Sequence, residues 1–288
     1  MIFIIKYRKF AYSFLGILLV GTIFVWSAVF SLTADDILEV HFFDVGQGDS
    51  IFIETPFQKQ VLIDGGPDKT VLEKLNQTMP FYDRKIDLLI LTHPDADHIT
   101  GLVDVLEYYQ VGHILTSGFE TDTAVYKKWR ELIDEKNIPL TIAQAGQKII
   151  LSEGIVLEIL WPEQPLVDAK SVNNASVVSR LIYRQTEFLL TGDIEKKIEN
   201  ILIERNTNLE SDILKVPHHG SKTSSSYNFI KAVNPKISVI SVGENNRYKH
   251  PNQEVLDILK NAFISRTDKN GDITILTNGE LFEVKTER

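Results

Sequence analysis

The sequence contains no cysteine, which excludes disulfides, thiolate zinc sites and cysteine nucleophiles together. It also lacks an excess of positive charge: 30 Lys+Arg against 39 Asp+Glu give a formal net charge of −9. That balance argues against a protein that coats nucleic acid non-specifically. No low-complexity tract, long linker or period of 20–50 residues interrupts residues 37–288. No Ser-His-Asp arrangement is evident either. What is present is a chain of 288 residues, 43% hydrophobic, long enough to bury a sizeable core.

A further absence is local. No charged residue occurs from Phe10 to Ala34. As a helix, this run would be roughly 35 Å long, enough to cross a hydrocarbon core of about 30 Å. Lys6, Arg8 and Lys9 precede it and Asp35-Asp36 follow it, so the positive-inside rule puts the bulk of the chain outside the cytoplasm. A cleavable signal peptide competes, but its apolar region is usually only about 7–15 residues long, and Leu32 and Ala34 make a poor cleavage pair. The favoured expectation is one N-terminal transmembrane helix, with residues 1–36 a single-pass membrane anchor and residues 37–288 an extracytoplasmic domain. That domain carries 27 Lys+Arg against 39 Asp+Glu, a net of −12.

Residues 37–288 read as two β-rich halves, each ending in βα units. The first offers strands at Ile37–Asp44, Asp49–Glu54, Gln60–Asp64, Ile86–Thr92 and His113–Leu115, with helices near Thr70–Asn76, Ile99–Tyr109 and Thr123–Lys136. The second offers strands at Ile149–Leu151, Ile155–Trp161, Ser176–Tyr183, Glu187–Thr191, Asp212–Val216 and Ile237–Val242. Its helices fall at Ile194–Arg205, Ser225–Val233 and Gln253–Ala262, and strands Ile273–Thr277 and Leu281–Val284 close the chain. The pattern is α/β, with two sheets face to face and helices outside.

Chemistry concentrates where strands end. Thr92-His93-Pro94-Asp95-Ala96-Asp97-His98 packs four potential ligands into six residues, a density that needs a neutralising cation. A bland alternative makes Asp97 the N-cap of a helix over 99–101. Leu62-Ile63-Asp64-Gly65-Gly66 and Leu190-Thr191-Gly192-Asp193 each put a carboxylate at the end of an apolar strand. Lys215-Val216-Pro217-His218-His219-Gly220-Ser221 ends another strand in paired imidazoles, and Lys249-His250-Pro251 precedes a helix. Five of the seven histidines sit at such transitions, whereas His41 and His113 read as ordinary strand residues.

The order Asp64, His93–His98, Gly192-Asp193 and a late histidine resembles the metallo-β-lactamase superfamily. Within it, the chain is most similar to the extracytoplasmic domain of ComEC-type DNA-uptake proteins. The similarity rests on His41-Phe42-Phe43-Asp44-Val45-Gly46-Gln47-Gly48-Asp49-Ser50, Asn173-Asn174-Ala175-Ser176, Pro217-His218-His219-Gly220-Ser221 and His250-Pro251. It covers about residues 37–288 and implies a four-layer αββα sandwich. Their multi-helix channel portion is absent, so transport is not implied. The resemblance also implies a metal-dependent hydrolase binding one or two divalent ions through His93, Asp95, Asp97, His98 and Asp193, with Asp64 in support. The last ligand is either His250, which strand counting favours, or one of His218 and His219. Two departures from the general pattern, Asp95 for a histidine and Asn173 or Asn174 for another, exchange nitrogen for oxygen donors, which suit harder ions such as Mn²⁺ or Mg²⁺ better than Zn²⁺; the expected ion is Mn²⁺ or Zn²⁺.

Asp97 is then the residue that orients a reacting water, and His218 or His219 the proton donor to a leaving oxygen. Residues 214–260 carry Lys215, Lys222, Lys231, Lys236, Arg247, Lys249 and Lys260 against Glu244, Glu254 and Asp257, a local +4. Arg247 and Lys249, with Asn174, are the expected substrate contacts, and Tyr227 and Tyr248 offer stacking faces. The expected partners are the membrane, through residues 10–34, and an anionic phosphodiester, foremost DNA; no protein partner is expected. Two alternatives stay open: hydrolysis of another exported substrate, such as a cell-wall phosphodiester or a small ester, and a non-catalytic binding protein on the same fold.

Overall fold

Short apolar strands, the central ones buried on both faces, build this structure, a computed structural model that describes residues 12–26, 36–164, 166 and 171–288. The chain divides into two compact units, Met1–Asp36 and Ile37–Arg288. In the first, residues 12–26 form a helix, α1, with exposed side chains. Its length is about 22 Å at 1.5 Å per residue. The remainder of the predicted anchor, residues 10–11 and 27–34, lies outside the described residues. Among the described residues, no helix is long and apolar enough to cross a membrane.

The second unit opens with β1 (Leu38–Phe42), β2 (Ile51–Glu54), β3 (Gln60–Ile63), α2 (Thr70–Thr78), β4 (Lys85–Ile86), β5 (Leu88–Leu91), α3 (Ala96–Tyr108), β6 (Gln110–Val111), β7 (Ile114–Thr116), α4 (Ala124–Glu135) and β8 (Leu140–Ile142). It continues with β9 (Lys148–Ser152), β10 (Ile155–Trp161), β11 (Val178–Tyr183), β12 (Thr186–Leu190), α5 (Lys196–Glu204), β13 (Ile213–Lys215), α6 (Tyr227–Val233), β14 (Ile237–Ile240), α7 (Gln253–Ile258) and β15 (Phe263–Arg266). A short α8 (Thr267–Asn270) then leads to β16 (Ile273–Thr277) and β17 (Phe282–Thr286). One sheet runs β17-β16-β1-β2-β3-β5-β7-β8 and the other β15-β14-β13-β12-β11-β10-β9, while β4 and β6 pair on their own.

Four layers follow from three apolar seams. Val40 and Phe42 of β1, Val61 and Ile63 of β3, and Phe188 and Leu190 of β12 meet between the sheets. The opposite faces, such as Leu62 and Leu89, pack against Val71 and Leu75 of α2, Leu102 and Val105 of α3, and Trp129 of α4. Leu189 and Leu214 do the same against Ile198 and Leu202 of α5 and Phe229 of α6. Each such side chain contributes on the order of 1.5–3 kcal/mol by leaving water. The αββα sandwich expected from the sequence is therefore observed.

Several local expectations need correcting. Helix α3 starts at Ala96, because the extended residue Asp95 is its N-cap, and the Asp95 side chain makes no capping hydrogen bond. Asp97 thus lies inside the first turn and is not a cap. The last predicted helix stops at Ile258, and Phe263–Arg266 is an edge strand parallel to β14. Its one fully buried residue is Ser265, while Phe263 is exposed and Ile264 only partly buried, so it carries no apolar alternation to read. The strand expected from Ser176 starts only at Val178, behind a 3₁₀ turn at Asn173–Ala175.

The parallel pairs β3–β5 and β12–β13 fix the site. Their C-terminal ends lie at one end of the sandwich, and Asp64, His93, Asp193 and the 217–220 turn follow them directly.

Candidate metal centre

His93 and His98 are fully buried and His219 almost so. Each ring is tied through Nδ1. His98 Nδ1 donates to Asp64 Oδ2 at 2.7 Å. His219 Nδ1 donates to the Ser241 carbonyl at 2.8 Å. Thr92 Oγ1 donates to Asp64 Oδ2 at 2.6 Å and therefore accepts from His93 Nδ1 at 3.0 Å. In their neutral, metal-binding form the rings carry the proton on Nδ1, so that the three Nε2 lone pairs point inward, and none of these atoms has a hydrogen-bond partner.

Those orphaned nitrogens face carboxylates. His98 Nε2 lies 3.4 Å and His219 Nε2 3.3 Å from Asp193 Oδ2. His219 Nε2 is also 3.5 Å from Asp97 Oδ2, and His93 Nε2 is 3.8 Å from the half-exposed Asp95. Two overlapping ligand groups result: His93, His98 and Asp193, and Asp97, His98 and His219. A buried imidazole nitrogen without a partner costs about 1–3 kcal/mol, and three converging on carboxylates fit a divalent cation, with the Nδ1 partners orienting the rings. The residues present fit a divalent metal ion.

Local backbone geometry makes this convergence. His218 and His219 both adopt left-handed φ, 49° and 53°, which turns His219 back into the centre. Asp64, itself at φ 59°, accepts from Thr92 N at 2.8 Å as well as from Thr92 Oγ1 and His98. Gly48 is required by closeness: a Cβ there would stand 2.2 Å from the Asp97 carbonyl oxygen. Gly192, at φ 52°, would bring a Cβ to 2.8 Å from Ser176 Cβ.

Charge is balanced from within. Burial opposes charge on His219, yet Asp193, Asp97 and Asp49 outweigh it and push the ring up to about 10. Burial likewise opposes His98, which Asp193 and Asp64 raise well above its ordinary value. Asp193 would be raised by burial, but His219, His98 and Lys215 hold it well below the usual carboxylate range. Burial, then His98, keeps His93 neutral.

Two participants were missed from the sequence. Lys215 was counted in a basic surface patch, but it is fully buried. Its ammonium donates to the Gly192 carbonyl at 3.0 Å and pairs with Asp193 Oδ1 at 3.3 Å and with Asp49 Oδ2. The signal was available: in Ile213-Leu214-Lys215 the inward residues are the first and third. Asp49, 2% exposed, also lies 3.5 Å from His219 Nδ1.

The other expected residues lie elsewhere around the mouth. His250 is outside the clusters of potential ligands; its ring is 5.9 Å from that of His218 and stacks on Tyr248. His218 Nδ1 is 3.2 Å from Thr223 Oγ1 and its Nε2 is 3.3 Å from Asn173 Nδ2. Asn174 is committed to structure: its Nδ2 donates to Ser171 Oγ and Glu195 Oε2, and its Oδ1 accepts from Glu195 N. Arg247 and Lys249 are exposed, the Arg247 guanidinium lying 4.7 Å over the Tyr248 ring.

Comparison with known proteins gives the same outline. The sequence pattern described as the metallo-beta-lactamase superfamily matches residues 43–244. ComE operon protein 3 of Bacillus subtilis is 35% identical over 255 residues, 82% of this chain and 32% of that protein. Competence protein ComA of Neisseria gonorrhoeae is 31% identical over 79% of this chain and 30% of its own length. Recombination protein 2 of Haemophilus influenzae is 28% identical over 87% and 30%. The chain thus spans about a third of the length of these relatives. The crystal structure of the metallo-beta-lactamase fold protein YhfI from Bacillus subtilis superposes with a TM-score of 0.57 at 12% identity, covering 84% of this chain and all of YhfI. The metallo hydrolase Igni18 of Ignicoccus hospitalis gives 0.52 at 15% identity, covering 83% and 98%. At such identities the likeness is one of fold.

Proposed function

From the premise that this chain belongs to the metallo-beta-lactamase superfamily and is related to competence proteins, we propose that it is a metal-dependent phosphodiesterase that cleaves DNA. The observation that carries the reading is the set of three buried, unpartnered histidine Nε2 atoms turned toward Asp95, Asp97 and Asp193.

His93, Asp95 and Asp193 would hold one ion, and Asp97, His98, His219 and Asp193 a second, as Mn²⁺ or Zn²⁺. Bound there, such ions supply Lewis acidity, making a nucleophile of water near neutral pH and offsetting charge on a phosphoryl oxygen. The chain's own groups do the rest. Asp97 accepts a hydrogen bond from the attacking water and so aims its lone pair. His218 lies beside the centre; burial, with His219 beside it, lowers its pKa, so it works as a neutral imidazole that gives or takes a hydrogen bond at the phosphoryl group. Arg247 and Lys249 attract the diester backbone, and Tyr248 offers a face for a base. DNA is favoured over other diesters because the relatives are named for competence and recombination.

The charge-free run 10–34 behind Lys6, Arg8 and Lys9 supports anchoring in a membrane with the catalytic unit outside the cytoplasm.

The test uses metal-free protein, end-labelled single-stranded DNA and a titration of Mn²⁺ or Zn²⁺, with Asp97→Ala in parallel. Metal-dependent cleavage that the variant lacks is expected. Tight metal binding without cleavage by either ion overturns DNA as the substrate and points to envelope phosphodiesters.

A further inference from the structure

The end of the sandwich opposite the metal centre carries an apolar rim. Strand β1 begins there, Leu38 pairing with Thr277 and Glu39 with Glu54. The chain therefore enters this unit between the β2–β3 and β16–β17 turns. Each turn presents a large apolar side chain to solvent, Phe57 at 56% and Leu281 at 75% exposure. Beside them, the segment before β4 presents Phe81 at 85% and Tyr82 at 76%. Their rings meet edge to face with centroids 5.3 Å apart, so they support one another in an outward pose. This segment is fastened to the rim by Gln60 Nε2, which donates to Asp83 at 2.9 Å. Tyr108, 66% exposed at the foot of α3, extends the same surface. Lys59 and Lys85 project among these side chains and share the carboxylate of Asp87, with Asp83, Glu39 and Glu54 at the same rim.

Exposed aromatic rings clustered at one edge are the composition of a membrane–water interface, where an amphipathic ring sits at headgroup depth. Chain length selects the same occupant. The charge-free run ends at Ala34, and β1 begins at Leu38. Four residues span at most about 14 Å of extended chain. If residues 10–34 lie in a bilayer, the start of β1 is confined to its headgroup zone, and the rim around β1 is the surface confined with it.

We propose that this rim is a lipid-contact face. Phe57, Phe81, Tyr82 and Leu281 enter the headgroup–acyl boundary of the membrane that anchors the chain, and the metal centre opens on the side away from lipid. This proposal rests on the anchor reading given above.

The absence of native cysteine makes the test clean. Phe57→Cys, Tyr82→Cys and, as a reference at the metal end, Tyr248→Cys are each labelled with an environment-sensitive fluorophore in the full-length chain. The proteins are reconstituted into phosphatidylcholine–phosphatidylglycerol vesicles containing nitroxide lipids. The expected result is a blue-shifted emission and roughly twofold or greater quenching at 57 and 82, with neither at 248. Vesicle-bound protein whose labels at 57 and 82 are quenched no more than at 248 overturns the proposal and leaves anchoring intact; the rim then faces water or another protein. Failure of the chain to float with vesicles overturns the anchor reading, and the proposal falls with it.

Discussion

Lys215 is the residue whose removal should say most about how this centre is held together. Its ammonium is fully buried between Asp49 and Asp193. Burial opposes the charge, but those two carboxylates raise its pKa further still. In Lys215→Met the side chain keeps its length and loses its charge, leaving Asp49 and Asp193 only His98 and His219 to offset them. Breaking a buried pair in this way costs about 3–5 kcal/mol. In a domain of this size each kcal/mol moves Tm by about 2–4 °C, so the metal-free variant should melt roughly 6–20 °C lower than the parent. Two controls separate lost charge from lost packing. Saturating Mn²⁺ should recover part of the deficit, because an ion beside Asp193 supplies positive charge that Lys215 no longer does. Adding Asp49→Asn should also recover part, because neighbouring sites in one network are not additive. Urea unfolding followed by the fluorescence of buried Trp129 and Trp161 measures each form. A metal-free single variant within about 1 kcal/mol of the parent would refute the reasoning, since a real counter-ion cannot be so dispensable.

Two further outcomes follow from the same geometry. His219→Ala should lose metal affinity at least tenfold by titration calorimetry, whereas His250→Ala should keep its metal; the reverse pattern would return His250 to the ligand set. Since His219 is pushed up to about 10 and His98 is also raised, both carry protons in the metal-free protein at pH 7. Metal binding should then release about two protons, seen as a dependence of binding heat on buffer ionisation enthalpy. Without metal, the stability owed to His219 is fully present below about 6.5, the ordinary imidazole value, and is lost as pH rises through about 10. The urea midpoint of metal-free protein should fall across that window.

The sequence exposed the fold because the strands that matter are short, nearly continuous apolar runs. Residues 86–92 and 187–191 lead directly into His93–His98 and Gly192-Asp193, and the structure ends β5 and β12 there. It hid what depends on backbone direction. Whether His218, His219 or His250 turns inward is set by two successive left-handed residues and by one hydrogen bond to the Ser241 carbonyl, neither of which side-chain pattern reveals. Counting strands favoured His250, yet position along the chain does not fix where a ring points. Lys215 was hidden differently. A lysine is almost never fully buried unless paired, so composition placed it on the surface, and only the alternation of β13 argued otherwise. With Lys215 internal and Lys236 paired to Asp212 at 2.6 Å, the local basic surplus shrinks, and Arg247 and Lys249 carry more of the case for an anionic substrate.

Charge also decides how many ions the centre should take. Asp49, Asp64, Asp95, Asp97 and Asp193 bring five negative charges against one ammonium, Lys215, and the imidazoles that ligate metal are neutral. One divalent ion would leave a net −2 facing the substrate, and two would leave none. Each unit of like charge at about 4 Å from a phosphodiester costs on the order of 4 kcal/mol at an effective dielectric of 20, so a centre left at −2 would repel the group it must hold. The active protein is therefore expected to carry two ions per chain. Elemental analysis after gel filtration, alongside a titration of activity against added metal, measures this. Full activity at one equivalent would show that the carboxylates are neutralised by protons instead, and Asp95, half-exposed and with its pKa raised by burial and by Asp97, would be the first to examine.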